Sequence, residues 1–149
     1  MVAKDQLLPP ADQVIDVQGK HVLPGVIDPH VHMGIYMPFE SDMETETAAA
    51  AAGGVTTILH HTFDKRSIRT FIPEMAEVVG RKAHMDVGFT VCIMGMDHIQ
   101  ELEEAFKLGV TSFKVFLNRP EYEPLFGIRH PDDGELVMAM ERLRDLGGL

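Results

Sequence analysis

The sequence predicts an α/β protein built on a parallel sheet, and three observations predict it. Short runs rich in β-branched and apolar residues alternate with longer segments of helical periodicity, four times over. The chain stops at Gly147-Gly148-Leu149, where a helix would turn into a fifth strand. No Gly-rich phosphate turn follows the first strand, which argues against a nucleotide-binding fold. Two geometries are open to such a chain: a partial (β/α)8 barrel, or a doubly wound four-stranded sheet.

The 149 residues are 45% hydrophobic and 24% charged, enough to bury the core of one modest soluble domain. The net charge of −10 excludes nucleic acid and an anionic membrane surface as expected partners, and the acids are spread as a solvated exterior. Cys92 is the one cysteine, so no intrachain disulfide can form and a reducing cytoplasm is the expected compartment. It lies in the apolar run 89–94 and is expected to be buried and inert. No segment has the apolar length of a signal peptide or a membrane span.

Residues 1–13 are polar, carry Pro9-Pro10, and read as a loose extended lead. Residues 14–17 alternate apolar and acidic side chains and predict a strand, turned by Gly19-Lys20. The next stretch, LPGVIDPHVH at 23–32, opens with a Pro-Gly break and then places Asp28, His30 and His32 at alternate positions. In a strand these share one face, with Ile27 and Val31 on the other. Two neutral imidazoles on a rigid backbone suit a divalent ion such as Zn²⁺, Mn²⁺ or Co²⁺. Asp28 could orient a ring or complete the coordination. The plainer alternative is two exposed or core-satisfied histidines.

An irregular loop over 33–41 leads to a helix predicted over 42–52, capped by Ser41 or Asp42. Glu44 and Glu46 favour its N-terminal end, five consecutive alanines allow close packing, and Gly53-Gly54 ends it. Residues 55–59 form the second strand. His60-His61-Thr62 follow as a loop that could line the face of the first histidine pair, although a structural role is the stronger expectation. The stripe Ile68, Phe71, Ile72, Met75, Val78, Val79 predicts a helix to residue 82. Pro73 fits only a first turn, which places the regular start near Ile72.

Residues 85–94 predict the third strand. Asp97 is expected to cap one helix through Ile99, Leu102, Ala105, Phe106 and Leu108, stopped by Gly109. The fourth strand, 110–117, carries Lys114 among apolar neighbours and would leave Val110, Phe113 and Phe116 on an open edge. A polar loop over 118–134 precedes a last helix over 135–145, with Leu136, Met140 and Leu143 on one face. Lys114 would be costly to bury as an ammonium. It can snorkel out at the strand end, or as a neutral amine add carbon dioxide and become an anionic carbamate.

Two strings carry a family resemblance: LPGVIDPHVH, preceded by VIDVQGK at 14–20, and GVTSFKVF at 109–116. Both resemble the cyclic amidohydrolases, the group of hydantoinases, dihydropyrimidinases, allantoinases and dihydroorotases. The resemblance implies a partial (β/α)8 barrel of about four βα units, residues 22–149, behind a lead and remnant strand of a small β-sandwich, residues 1–21. It implies two divalent metal ions, Zn²⁺ first and Mn²⁺ or Co²⁺ as alternatives. His30 and His32 would hold one, and carboxylated Lys114 would bridge both, with Asp28 in support. The implied reaction is hydrolysis of a cyclic amide or imide C–N bond, in a homo-oligomeric parent protein. The family's general-base aspartate and two further metal-binding histidines come from later strands, beyond Leu149, so the isolated chain is expected to be inactive.

The substrate signature departs from the family pattern. Arg119 stands where hydantoinases place a tyrosine, Tyr122 comes three residues too late, and Met33-Gly34-Ile35 lacks the arginine of dihydroorotases. The rival reading is a non-catalytic dihydropyrimidinase-like scaffold, and a third is a simple module holding one ion through His30 and His32.

Overall fold

The computed structural model describes residues 10–117, 122–127, 129 and 131–149. Strands β1 (Val26–Val31), β2 (Val55–Thr62), β3 (Asp86–Cys92) and β4 (Ser112–Lys114) form one parallel sheet in the order β1-β2-β3-β4. Helices α1 (Phe39–Ala52), α2 (Ile68–Lys82), the pair α3 (Met96–Gln100) and α4 (Leu102–Lys107), then α5 (Tyr122–Phe126) and α6 (Asp133–Leu146) follow the strands in turn. A doubly wound sheet reverses its strand order at a switch point. Here each strand is laid beside its predecessor without reversal, so the arrangement is a segment of a barrel wall.

Alternation along the strands sorts side chains between two faces. Val31, Ile58, Val87, Val91 and Phe113 meet the helices: Met43 of α1 with Ile58, and Phe71 and Ile72 of α2 with Val91. Phe71 and Ile68 are fully buried, each contributing about 1.5–3 kcal/mol of apolar burial. The other set, His30 on β1, His61 on β2, Thr90 and Cys92 on β3, Ser112 and Lys114 on β4, lines the concave face. Its register follows the pairs His61–Thr90, Thr90–Ser112 and Cys92–Lys114. Cys92 is buried and burial pushes its thiol up to about 12, so it is inert as expected.

Several boundaries differ from the sequence expectation, each for a tertiary reason. Residues 14–17 form no strand: Val14 and Ile15 are 84% and 75% exposed, and no ladder partner lies beside them among the described residues. Helix α1 starts at Phe39, behind Pro38, with no side-chain cap from Ser41 or Asp42. The Asp42 carboxylate instead accepts the Gly34 N–H at 2.8 Å, tying the loop after β1 to the helix.

Helix α2 begins a turn before the expected Ile72 and contains Pro73 in its interior. Its first turn is held from another element, since the Glu101 carboxylate accepts the Ser67 hydroxyl at 2.7 Å and the Ile68 N–H at 2.6 Å. The missing proline N–H falls at an exposed position. The single helix expected after β3 is two, α3 behind Gly95 rather than Asp97, and α4, with the break at Glu101 itself.

Strand β2 runs to Thr62, so His60-His61-Thr62 are strand and not loop. Strand β4 spans three residues where eight were expected, and its flank is less open than foreseen. Val110 is buried, Phe113 stacks on Phe106, and Phe116 meets Phe63. Leu149 donates to the Thr111 carbonyl and accepts from the Phe113 N–H, both at 2.9 Å, the hydrogen-bond pattern of a parallel bridge on the free side of β4. Helix α5 occupies part of the expected polar loop; Arg119 and the first nine residues of the lead lie outside the described residues. Helix α6 is capped by a reciprocal Asp132–Glu135 box and ends at left-handed Gly147. Among the described residues no helix is long and apolar enough to cross a membrane.

Candidate metal centre

Parallel pairing puts the C-terminal ends of all four strands at one rim, which is where His30, His32, His61 and Lys114 come together. His30 Nε2 lies 3.1 Å from His32 Nε2 and 3.2 Å from Lys114 Nζ. Lys114, 84 residues further along the chain, turns its amine toward the histidine pair and over the Phe116 ring, 4.6 Å from its centroid. The Asp28 carboxylate takes the His30 backbone N–H at 3.0 Å, so it shapes the strand end rather than meeting a ring nitrogen there.

Two further rings frame the pair. His61 lies flat against His30, centroids 3.9 Å apart and planes 8° from parallel, with its edge toward His32 at 5.5 Å. Phe63 stacks on His32 at 4.8 Å. His60 points to the helix face, between Phe39 and Phe89, where its Nδ1 accepts the Met33 N–H at 3.3 Å. It therefore does not line the face of the first pair.

The electrostatics favour unprotonated rings. Partial burial, and then the charge of Lys114, hold His32 below the usual histidine range; burial does the same for His61. Burial takes His60 down to about 4. Neutral imidazole is the form that binds a metal. The donor set also fits: two nitrogens at tetrahedral zinc distances lie roughly 3.3 Å apart, close to the His30–His32 separation. Among the described residues, no group of three or more His, Cys, Asp or Glu side chains is arranged to hold a metal. The convergence is of two imidazoles and one amine.

No protein-family model matches the chain. Against individual proteins the likeness is extensive. The chain is 36% identical over 150 residues to the D-hydantoinase of Streptomyces coelicolor, covering 93% of this chain and 30% of that one. It is 31% identical over 146 residues to the dihydroorotase of Methanosarcina mazei, covering 95% and 31%. A crystal structure of D-hydantoinase superposes on 84% of this chain and 28% of its own, with a TM-score of 0.67 and 32% identity. The chain belongs to the cyclic amidohydrolase family. It spans about 30% of the length of the curated relatives it matches.

Within this cyclic amidohydrolase segment the fold is the expected partial barrel, and the two marked strings meet in space. The sequence offers His60-His61-Thr62 as a lining of this face while favouring a structural role; His61 lies there, His60 does not, and Phe63 was not legible. The signal available for His61 was the alternation Leu59, His61 continuing the inward face of β2. It was masked by reading the strand as ending at residue 59.

Proposed function

We propose that this chain is the metal-binding wall of a catalytic barrel whose complete protein hydrolyses a cyclic amide, imide or ureide C–N bond. His30 and His32 hold one divalent ion, Zn²⁺ in the first instance. Lys114, as its carbamate, is shared with a second. The observation that carries this reading is the approach of His30 Nε2, His32 Nε2 and Lys114 Nζ within 3.1–3.2 Å across β1 and β4. A divalent pair there supplies Lewis-acid chemistry suited to amide hydrolysis.

The chain's own residues prepare that chemistry. Partial burial and then the neighbouring lysine charge favour the neutral form of His32, the form that can give its Nε2 lone pair to a metal. Carboxylation of Lys114 releases two protons, one from the ammonium to give the amine and one as the amine nitrogen bonds carbon dioxide, and so replaces a cation beside His30 by an anion. Asp28 and His61 hold the backbone and ring of His30. The two-domain division at residues 21 and 22, the homo-oligomeric parent and the cytoplasmic location belong to the same proposal.

The test is metal analysis of the chain and of its variants. Wild type is expected to bind Zn²⁺ and, with bicarbonate present, to carry the mass of one carbon dioxide on Lys114. His30→Ala and His32→Ala should each weaken Zn²⁺ by at least about 100-fold, the scale of losing a direct ligand. Lys114→Ala should keep one ion and lose the carboxylation. Zinc binding indifferent to all three substitutions sinks the proposal. For the complete protein, turnover of hydantoin, dihydrouracil, allantoin or dihydroorotate is the corresponding assay, and a metal-free, inactive barrel marks the scaffold reading instead.

A further inference from the structure

Resting on the metal-centre reading above, we infer that His61 is a positioning residue that sets the orientation of the His30 imidazole. Its ring covers the face of His30 at 3.9 Å and 8°, and is itself only 7% exposed. The ring is anchored by Nε2, which donates to the Pro29 carbonyl at 3.1 Å. One side chain thus grips both the ring of His30 and the peptide immediately before it. Asp28 fixes the His30 backbone N–H, so the ring's own orientation rests on its neighbours, of which His61 is the most nearly parallel.

Geometry separates this role from that of a third ligand. An imidazole holds a metal close to its ring plane, about 2.0–2.1 Å from the nitrogen. Two nearly parallel rings 3.9 Å apart cannot both aim in plane at one ion. The other nitrogen of His61, Nδ1, is buried with no hydrogen-bond partner among the described residues. With Nε2 donating to Pro29, Nδ1 is a bare acceptor, and leaving it unpaired is costly. A purely space-filling position would be met as well by an apolar ring. The imidazole supplies the stack and the anchoring N–H together.

The experiment compares Zn²⁺ affinity, by chelator competition, with the visible absorption of the Co²⁺-loaded chain, in wild type, His61→Ala and His61→Phe. His61→Ala is expected to bind Zn²⁺ about 10-fold more weakly, the lower range for loss of a group supporting a ligand, and to shift the Co²⁺ spectrum. His61→Phe keeps the ring face but lacks the anchoring N–H, so it should recover part of both. If His61→Ala does not fold, His61→Leu, which fills space without a ring face, takes its place. Unchanged affinity and spectrum on losing the ring, or no recovery by His61→Phe, overturns the inference while His30→Ala still reports on the centre. A wild-type chain that binds neither ion overturns this inference and the metal-centre reading together.

Discussion

His60 and His61 are adjacent, yet their environments assign them opposite work. His60 faces the helices, where burial lowers its pKa from 6.5 to about 4. The unfolded chain therefore takes up a proton as pH falls through 6.5, while the folded chain resists until about 4. Stability supplied by the neutral ring is fully present above 6.5 and declines between 6.5 and 4, by a total on the order of 3 kcal/mol. His60→Asn keeps an acceptor for the Met33 N–H and removes the titration. Urea denaturation across this pH window should show a flatter stability curve for the variant than for wild type. Equal slopes would show that His60 does not titrate in this way.

The elements are joined at their ends as much as along their faces. Glu101 sits in the break between α3 and α4 and receives two hydrogen bonds from the start of α2. His98, also buried, accepts the Met94 N–H at Nδ1 and donates from Nε2 to the Arg66 carbonyl, reinforcing the same junction. Thr47 does the equivalent for the first repeat: its hydroxyl donates to the Met43 carbonyl and accepts the His84 N–H. Removing the Glu101 carboxylate leaves the Ile68 N–H without its cap. Glu101→Ala should cost about 1–2 kcal/mol in chemical denaturation. Glu101→Gln, which can still accept, should cost less. A Glu101→Ala variant as stable as wild type would remove the cap from the explanation of why α2 tolerates Pro73.

Across the molecule, the two margins of the sheet differ. On the β4 side Leu149 already bridges Thr111 and Phe113. On the β1 side Val26 and Ile27 are 54% and 63% exposed, and β1 has one neighbour only among the described residues. An apolar strand margin of this kind associates. Size-exclusion chromatography of the chain should show concentration-dependent self-association, shifted toward monomer by Ile27→Lys. A monodisperse wild-type monomer at high concentration would contradict it. The chain is also expected not to hydrolyse hydantoin, dihydrouracil, allantoin or dihydroorotate with Zn²⁺ added, because it presents two imidazoles and one amine and no other clustered metal ligands among the described residues. Turnover abolished by His30→Ala would overturn that expectation.

Local signals were enough for the parallel α/β class, the succession of four strands along the chain and the candidacy of His30, His32 and Lys114. Hydrophobic period, alternation and glycine stops are properties of neighbouring residues, and the two marked strings are each contiguous. Packing decided the rest. The strand expected at residues 14–17 did not form, since a ladder needs a partner that no local pattern can supply. Helix α2 could start ahead of Pro73 because a carboxylate 33 residues away caps it. The sequence could offer His60, His61 and Thr62 for the rim but could not say that His61 alone of the two histidines reaches His30. That stack spans two strands, and strand pairing, a long-range arrangement, sets which side chains share a rim.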